Sequence, residues 1–376
     1  MERNYSIDFV KFFAIFAVVC IHTGTLRGTL IGNINGDDID FIIDILARFA
    51  VPFFFVTSGY LFLQKMKGIE VKNASANATK IQISYFKNYS LKLIKLWAAW
   101  FLFYFMFDLA IRYIETEKNI EALKAMFLDL VSNVFTLDLF YYGAGHSQYH
   151  LWFLLALIWS VFILFIFYKW KLLPLLVIIS FGFNIYGVFG QSYSFLYEVT
   201  MNTRDPLFFG LFYTTLGGML GMYAHKVTAA VAKIPSVLLV LMIISLGFLQ
   251  VIEAYITLKI NQGNAQDYFL MTIPLSIVLF LTVMKHRNIG RNSLISKIGS
   301  QSVGIYVSHV FVMEFIRIIM TRLELNYIQD SLGWKLLFTP VVFIFAYLMY
   351  MGIQHLKSYS FTNKKILVLR KKQLKS

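Results

Sequence analysis

The chain has 376 residues, of which 58% are hydrophobic, 18% aromatic and only 14% charged, with a mean hydropathy of +0.66. Soluble domains carry about 25% charged residues, so this composition excludes a water-soluble globular protein and points to an integral membrane protein. The net charge of +14 is gathered in certain loops, the pattern of cytoplasmic loops rather than of a nucleic-acid patch.

The long apolar windows lack period-two alternation, which predicts helices and not a β-barrel. The expected fold class is an all-α bundle of ten transmembrane helices with both termini cytoplasmic. The spans fall near 7–25, 40–63, 91–112, 149–168, 171–189, 207–224, 236–256, 267–284, 301–320 and 335–355. Basic loops, such as Lys65 to Lys87, Lys285 to Lys297 and the tail from Lys364 to Lys375, alternate with less basic ones and set that orientation. Residues 1–376 read as a single membrane domain without a separate soluble domain or internal repeat. Between the third and fourth spans, the stretch 115–142 contains an amphipathic piece, 121–135, that reads as an interfacial or re-entrant helix.

The first span, Ser6 to Thr23, carries Asp8 and Lys11 near one end and His22 near the other. No A-x-A site follows it, so it is read as retained rather than cleaved. Its lone Cys20 reads as a small core residue, with no second cysteine to pair with. Lys11 and His22 are eleven residues apart, roughly 16 Å along a helix and on nearly one face. Ionisable groups inside a span cost about 2.5–3.5 kcal/mol each and mark function by default. The bland alternatives are a snorkelling lysine and an interfacial histidine.

The second span contains Pro52 to Leu61, where Pro52 can kink the helix and Ser58-Gly59 leaves a place without bulk. Lys92 and Lys95 open the third span on one face, either as membrane anchors or as a phosphate site. The fourth begins Tyr149-His150-Leu151-Trp152, which puts His150 level with His22 beside an aromatic belt. Arg204 precedes the sixth span and reads either as a partner of Asp205 or as a contact for ligand. In the ninth, His309 lies about 12 Å into the helix, three residues after Tyr306, and Glu314 and Arg317 form an i,i+3 pair. His22, His150 and His309 belong to three helices without zinc-motif spacing, so no metal site is expected. No P-loop, nucleophile elbow or dinucleotide fingerprint occurs.

These pieces, in this order, resemble the acyltransferase-3 family of bacterial membrane acyltransferases. Asp8-Phe9-Val10-Lys11 and His22 match its D-x-x-R opening and Arg-x10-His pattern, with lysine in place of arginine. Pro52 to Leu61 matches P-x-F-F-x-x-S-G-[FY]-L, Lys92 and Lys95 match a basic R-x-x-R pair, His150 to Leu154 match an L-W-[FY]-L segment, and Gly299 to His309 match G-x-x-S-x-G-I-Y-[LV]-x-H. The matches run from the first to the ninth span. Lysine lacks the bidentate fork of arginine, which is the chain's departure from the pattern.

The resemblance implies a multi-pass enzyme of the bacterial cytoplasmic membrane with no bound cofactor. It would move an acyl group, most often acetyl, from cytoplasmic acyl-CoA to a hydroxyl of a cell-surface glycan or related acceptor. It assigns His22, His150 and His309 to catalysis. Asp8, Lys11, Ser58, Gly59, Lys92 and Lys95 fall to the donor, and Trp152, Arg204 and Tyr306 to the acceptor. The competing class is a secondary transporter or glycan exporter, which paired broken helices or inverted repeats would betray; the sequence has neither. A non-catalytic membrane sensor, the third class, would need an output domain.

Overall fold

The computed structural model describes residues 3–73, 75–143, 148–265 and 267–373, with side chains described as far as 358 apart from 75 and 76. The side chains of the basic tail, Lys364 to Lys375, lie outside the described residues. In chain order come α1 (Tyr5–Thr23), a short hairpin of β1 (Leu30–Ile31) and β2 (Ile34–Asn35), α2 (Gly36–Ala47), α3 (Ala50–Lys72) and α4 (Ser75–Glu115). Then follow α5 (Ile120–Val134), α6 (Asp138–Tyr142), α7 (Trp152–Lys169), α8 (Leu173–Phe189), α9 (Leu211–Met222) and α10 (Ala224–Ala232). The last are α11 (Ser236–Ala254), α12 (Thr272–Lys285), α13 (Leu294–Gly299), α14 (Ser302–Arg322), α15 (Asn326–Gln329) and α16 (Leu332–Gln373).

Six helices among the described residues are long and apolar enough to cross a membrane: α1, α4, α7, α11, α14 and α16. They become at most seven if α9 and α10, bent by 83° where they meet, count as one span. The expectation of ten spans is therefore wrong, and the both-termini-cytoplasmic orientation drawn from that count falls with it. The cause is length. The window 40–63 is cut into α2 and α3, and α3 turns polar at Gln64, Lys65, Lys67, Glu70 and Lys72. With 17 and 14 residues, α8 and α12 cover only about 26 and 21 Å, short of a hydrocarbon core of about 30 Å. Hydropathy alone joined segments that backbone geometry separates.

Local chemistry sets the ends of α1. The Asn4 side chain accepts the Ser6 N–H at 3.1 Å, satisfying an orphan donor of the first turn. At the other end Gly24 takes a left-handed φ of 64° and returns its N–H to the Cys20 carbonyl at 3.1 Å. The helix between them sits at the centre, packed by α2, α3, α12, α13, α14 and α16, and Ala14, Ile15 and Val19 are fully buried.

Lipid tails are as apolar as leucine, so membrane helices associate through close packing rather than hydrophobic transfer. The tightest pair is α3 with α9. A β-carbon on Gly59 would overlap the Thr214 carbonyl oxygen, and one on Gly217 the Val56 carbonyl oxygen. The glycines of Leu216-Gly217-Gly218 are what let the two backbones touch. The core around this seam is aromatic: Phe53, Phe55, Phe62, Phe209 and Tyr213 are buried.

Candidate active site

Three histidines meet at one end of the bundle. The ring centres of His22 and His309 are 5.1 Å apart, and those of His150 and His309 5.3 Å. His22 reaches this place from the last turn of α1, His150 from the short turn Tyr149–Leu151 that leads into α7, and His309 from the third turn of α14. Sequence spacing placed His309 at an intermediate depth; packing sets it beside the other two. His150 and His309 are 1% and 0% exposed, whereas His22 is half-buried. Among the described residues, no group of three His, Cys, Asp or Glu is arranged to hold a metal.

Two hydrogen bonds orient this cluster. The Tyr149 hydroxyl lies 3.2 Å from His22 Nδ1. His309 Nδ1 lies 2.6 Å from the Tyr306 carbonyl. A carbonyl only accepts, so His309 Nδ1 carries the hydrogen, and the neutral ring presents a bare Nε2. That Nε2 is buried and has no partner among the described residues. An orphaned acceptor in a buried site costs about 1–3 kcal/mol, a cost that an incoming hydroxyl donor removes. Aromatic groups hold the frame: Tyr306 donates its hydroxyl to the His150 carbonyl, and Tyr104 of α4 packs on the His150 ring at 5.0 Å. Tyr104 also donates to the Val307 carbonyl at 2.9 Å and accepts the Phe311 N–H at 3.0 Å, which pins α14 to α4. No sequence motif marks Tyr104. Its only signal is a hydroxyl on an otherwise apolar stretch of a long helix.

Of the expected acceptor residues, Trp152 and Arg204 come together. The Arg204 guanidinium stacks over the Trp152 ring at 5.4 Å. Its ion pair is with Asp267, at 3.2 Å, and Arg48 shares the same carboxylate oxygen at 3.0 Å. The alternative reading, an Arg204–Asp205 pair, is not what forms. Asp205 instead caps the helical segment ahead of α9, accepting from the Phe208 N–H at 2.7 Å and the Tyr141 hydroxyl at 2.8 Å. Burial pushes its carboxyl up to about 6. Glu314 and Arg317 do pair, at 3.3 Å.

The expected donor residues are scattered. Lys11 is half-buried and lies 3.7 Å from Asp8, which also binds Arg3 at 2.7 Å. Lys92 and Lys95 are exposed on α4 and make no hydrogen bond or ion pair among the described residues. The space beside Gly59 is filled by the α9 backbone, so the small residue serves helix contact there. Ser58 donates within its own helix, to the Phe54 carbonyl at 2.8 Å. Between Lys11 and His22, Ile15, Val18 and Val19 belong to the buried core, so the α1 face is packed along the roughly 16 Å between them. The larger basic feature at the far end is a cavity of about 650 Å³ lined by Tyr60, Lys67, Lys72, His225 and Arg287. In the sequence these basic residues read only as anchors of cytoplasmic loops.

A family model described as an acyltransferase domain (Acyl_transf_3) matches residues 4–351. The chain belongs to the acyltransferase-3 family. No curated protein and no solved structure matches it. Family membership makes it a multi-pass membrane acyltransferase and settles the choice between enzyme and transporter in favour of the enzyme. Acyl-CoA is the co-substrate this implies. All three histidines, and both ends of α1, lie inside the matched region.

Proposed function

We infer that the protein is an O-acyltransferase moving an acetyl group from cytoplasmic acetyl-CoA to a hydroxyl of a cell-surface glycan, with the histidine cluster as its catalytic centre. The observation that carries this reading is the bare, buried His309 Nε2 beside the half-buried His22. A hydroxyl donor is the ligand such a pair accepts.

In this reading the Nδ1–H of His22 donates to the Tyr149 hydroxyl, which leaves Nε2 with a lone pair. A neighbouring hydroxyl of the acceptor donates to His309 Nε2 and orients the sugar, and the reacting hydroxyl gives its own proton to His22 Nε2 as its oxygen attacks the thioester carbonyl. The C–S bond then breaks, the acetyl group stays on the acceptor oxygen, and the CoA sulfur leaves with a proton returned by His22. A neutral His309 has no hydrogen to offer at Nε2, so oxyanion stabilisation falls to His150. Arg204, held by Asp267 and stacked on Trp152, forms the wall on the α9 side, and Tyr306 acts by positioning His150 and His309.

The donor's phosphates are read as binding at the basic end, in the cavity with Lys67, Lys72, His225 and Arg287, with Lys11 nearby on α1. Lysines suit phosphate as point charges. The acyl end then has to travel the length of α1 to reach His22.

The test uses the full chain in liposomes, with labelled acetyl-CoA and a candidate glycan. Expected is glycan-dependent release of CoA with label appearing on the glycan. Passage of the glycan across the membrane without CoA release would overturn the reading.

A further inference from the structure

Beside the histidine cluster, at the same end of the bundle, lies a second cavity of about 550 Å³ that the motifs do not touch. Its walls are the outer turns of α4 and α14. Phe107, Asp108 and Arg112 come from α4, Glu314 from α14, and Tyr149 forms the side towards His22. Tyr104, Phe107, Asp108, Ile111 and Arg112 stand at helical spacing on one face of α4. The lower member of that face packs on His150, and the upper members line the cavity. On α14, His309 precedes Glu314 by five residues on the same helix. Tyr149 therefore joins the cavity to the proposed base: it lines the cavity, and its hydroxyl reaches His22 Nδ1 at 3.2 Å.

The lining has a definite chemistry. Phe107 and Tyr149 offer flat apolar faces. Asp108, 8% exposed, and Glu314 offer carboxylate acceptors. Arg112 offers a guanidinium, braced from outside by Asp129 of α5 at 2.6 Å, and Arg317 braces Glu314 at 3.3 Å. Counting the braces, three carboxylates stand against two guanidiniums. A pyranose ring fits this lining: its hydroxyls donate to carboxylates and accept from arginine, and its C–H faces lie on aromatic rings. A uronate or a phosphosugar meets an excess of negative charge instead.

We propose that the cavity between the outer turns of α4 and α14 is the acceptor subsite, that it takes a neutral, hydroxyl-rich sugar, and that Asp108 and Glu314 select it. This rests on the acyltransfer reading above. The sugar enters over Arg112 and presents two neighbouring hydroxyls past Tyr149, one to His22 and one to His309.

The test measures CoA release from acetyl-CoA by full-length protein in nanodiscs, with methyl β-D-glucopyranoside as the neutral probe and methyl β-D-glucuronide as its anionic counterpart. Expected is saturable stimulation by the glucoside and little by the glucuronide. Asp108→Asn and Glu314→Gln should each raise the KM for the glucoside about tenfold, the loss of one charge-assisted hydrogen bond. The KM for acetyl-CoA should stay put, which also reports that the variants fold. Absence of glucoside stimulation, equal use of the glucuronide, or an unchanged glucoside KM in both variants overturns the proposal while acetyl-CoA turnover remains. A wild-type protein that releases no CoA under any condition overturns the acyltransfer reading, and this one with it.

Discussion

The hydrogen bond between Tyr149 and His22 offers the most direct test of the catalytic assignment. A positioned general base contributes about 10²–10⁴-fold to a rate, equivalent to about 3–5 kcal/mol at 1.36 kcal/mol per decade. His22→Ala should therefore lower kcat by that factor. Tyr149 does not contact the transferred proton in this scheme; it holds the other ring nitrogen at 3.2 Å. Its loss in Tyr149→Phe should cost about 0.5–1.5 kcal/mol, roughly a 2- to 13-fold fall in kcat. The two effects run through one imidazole, so they should not add. In the double variant Tyr149→Phe should cost almost nothing beyond His22→Ala. The assay is thiol detection of CoA under saturating acetyl-CoA and acceptor, in proteoliposomes. Wild-type kcat in His22→Ala would refute the assignment of the base. A Tyr149→Phe penalty that recurs in full without the histidine would refute the coupling, and would leave Tyr149 as a binding residue only.

Gly59→Ala should lower thermal stability by about 1–3 kcal/mol, because its methyl group meets the Thr214 carbonyl across the α3–α9 seam. Ser58→Ala, one residue away, should change it by less than about 0.5 kcal/mol; equal melting temperatures for the two in nanodiscs would show that the seam is not tight. Asp205 has its pKa raised by burial to about 6. Its neutral form is therefore the stabilising one, with the contribution complete below about pH 4 and lost as pH rises through about 6. Wild type should gain about 1.3 kcal/mol of stability on acidification from pH 7 to 5, relative to Asp205→Asn; parallel pH profiles for the two would contradict this. At the basic end, Lys72→Ala and Lys11→Ala should raise the KM for acetyl-CoA several-fold with kcat little changed, while Lys11→Arg should keep the wild-type value. An unchanged KM in both alanine variants would remove donor binding from that end.

Much of the candidate site was legible in the chain because its residues break the rule of their surroundings. His22, His150 and His309 stand in apolar helices, where each ionisable group is costly, and all three are found in one cluster. The i,i+3 pair Glu314–Arg317 followed from helix geometry alone. The partner of Arg204 was not legible. Asp205 is adjacent in sequence, but its carboxylate is turned to cap a helix, and the distant Asp267 takes the guanidinium. The role of Gly59 was only half legible. The missing side chain was visible in the chain, but whether a ligand or a helix uses the space depends on what packs there.

By itself the sequence determined the membrane setting, the family motifs and the identity of the histidines, because composition and exceptional residues do not depend on folding. It overcounted the spans. A hydropathy window sums side chains and cannot sense the break between α2 and α3 or the shortness of α8 and α12. Tertiary structure alone decided the rest. It set His309 beside His22 rather than below it, and it fixed the His309 tautomer through the Tyr306 carbonyl. It also opened a cavity beyond Tyr149 from residues that no motif joins. The physical reason is that distance between helices, unlike spacing along one, is set by side-chain packing from both partners at once.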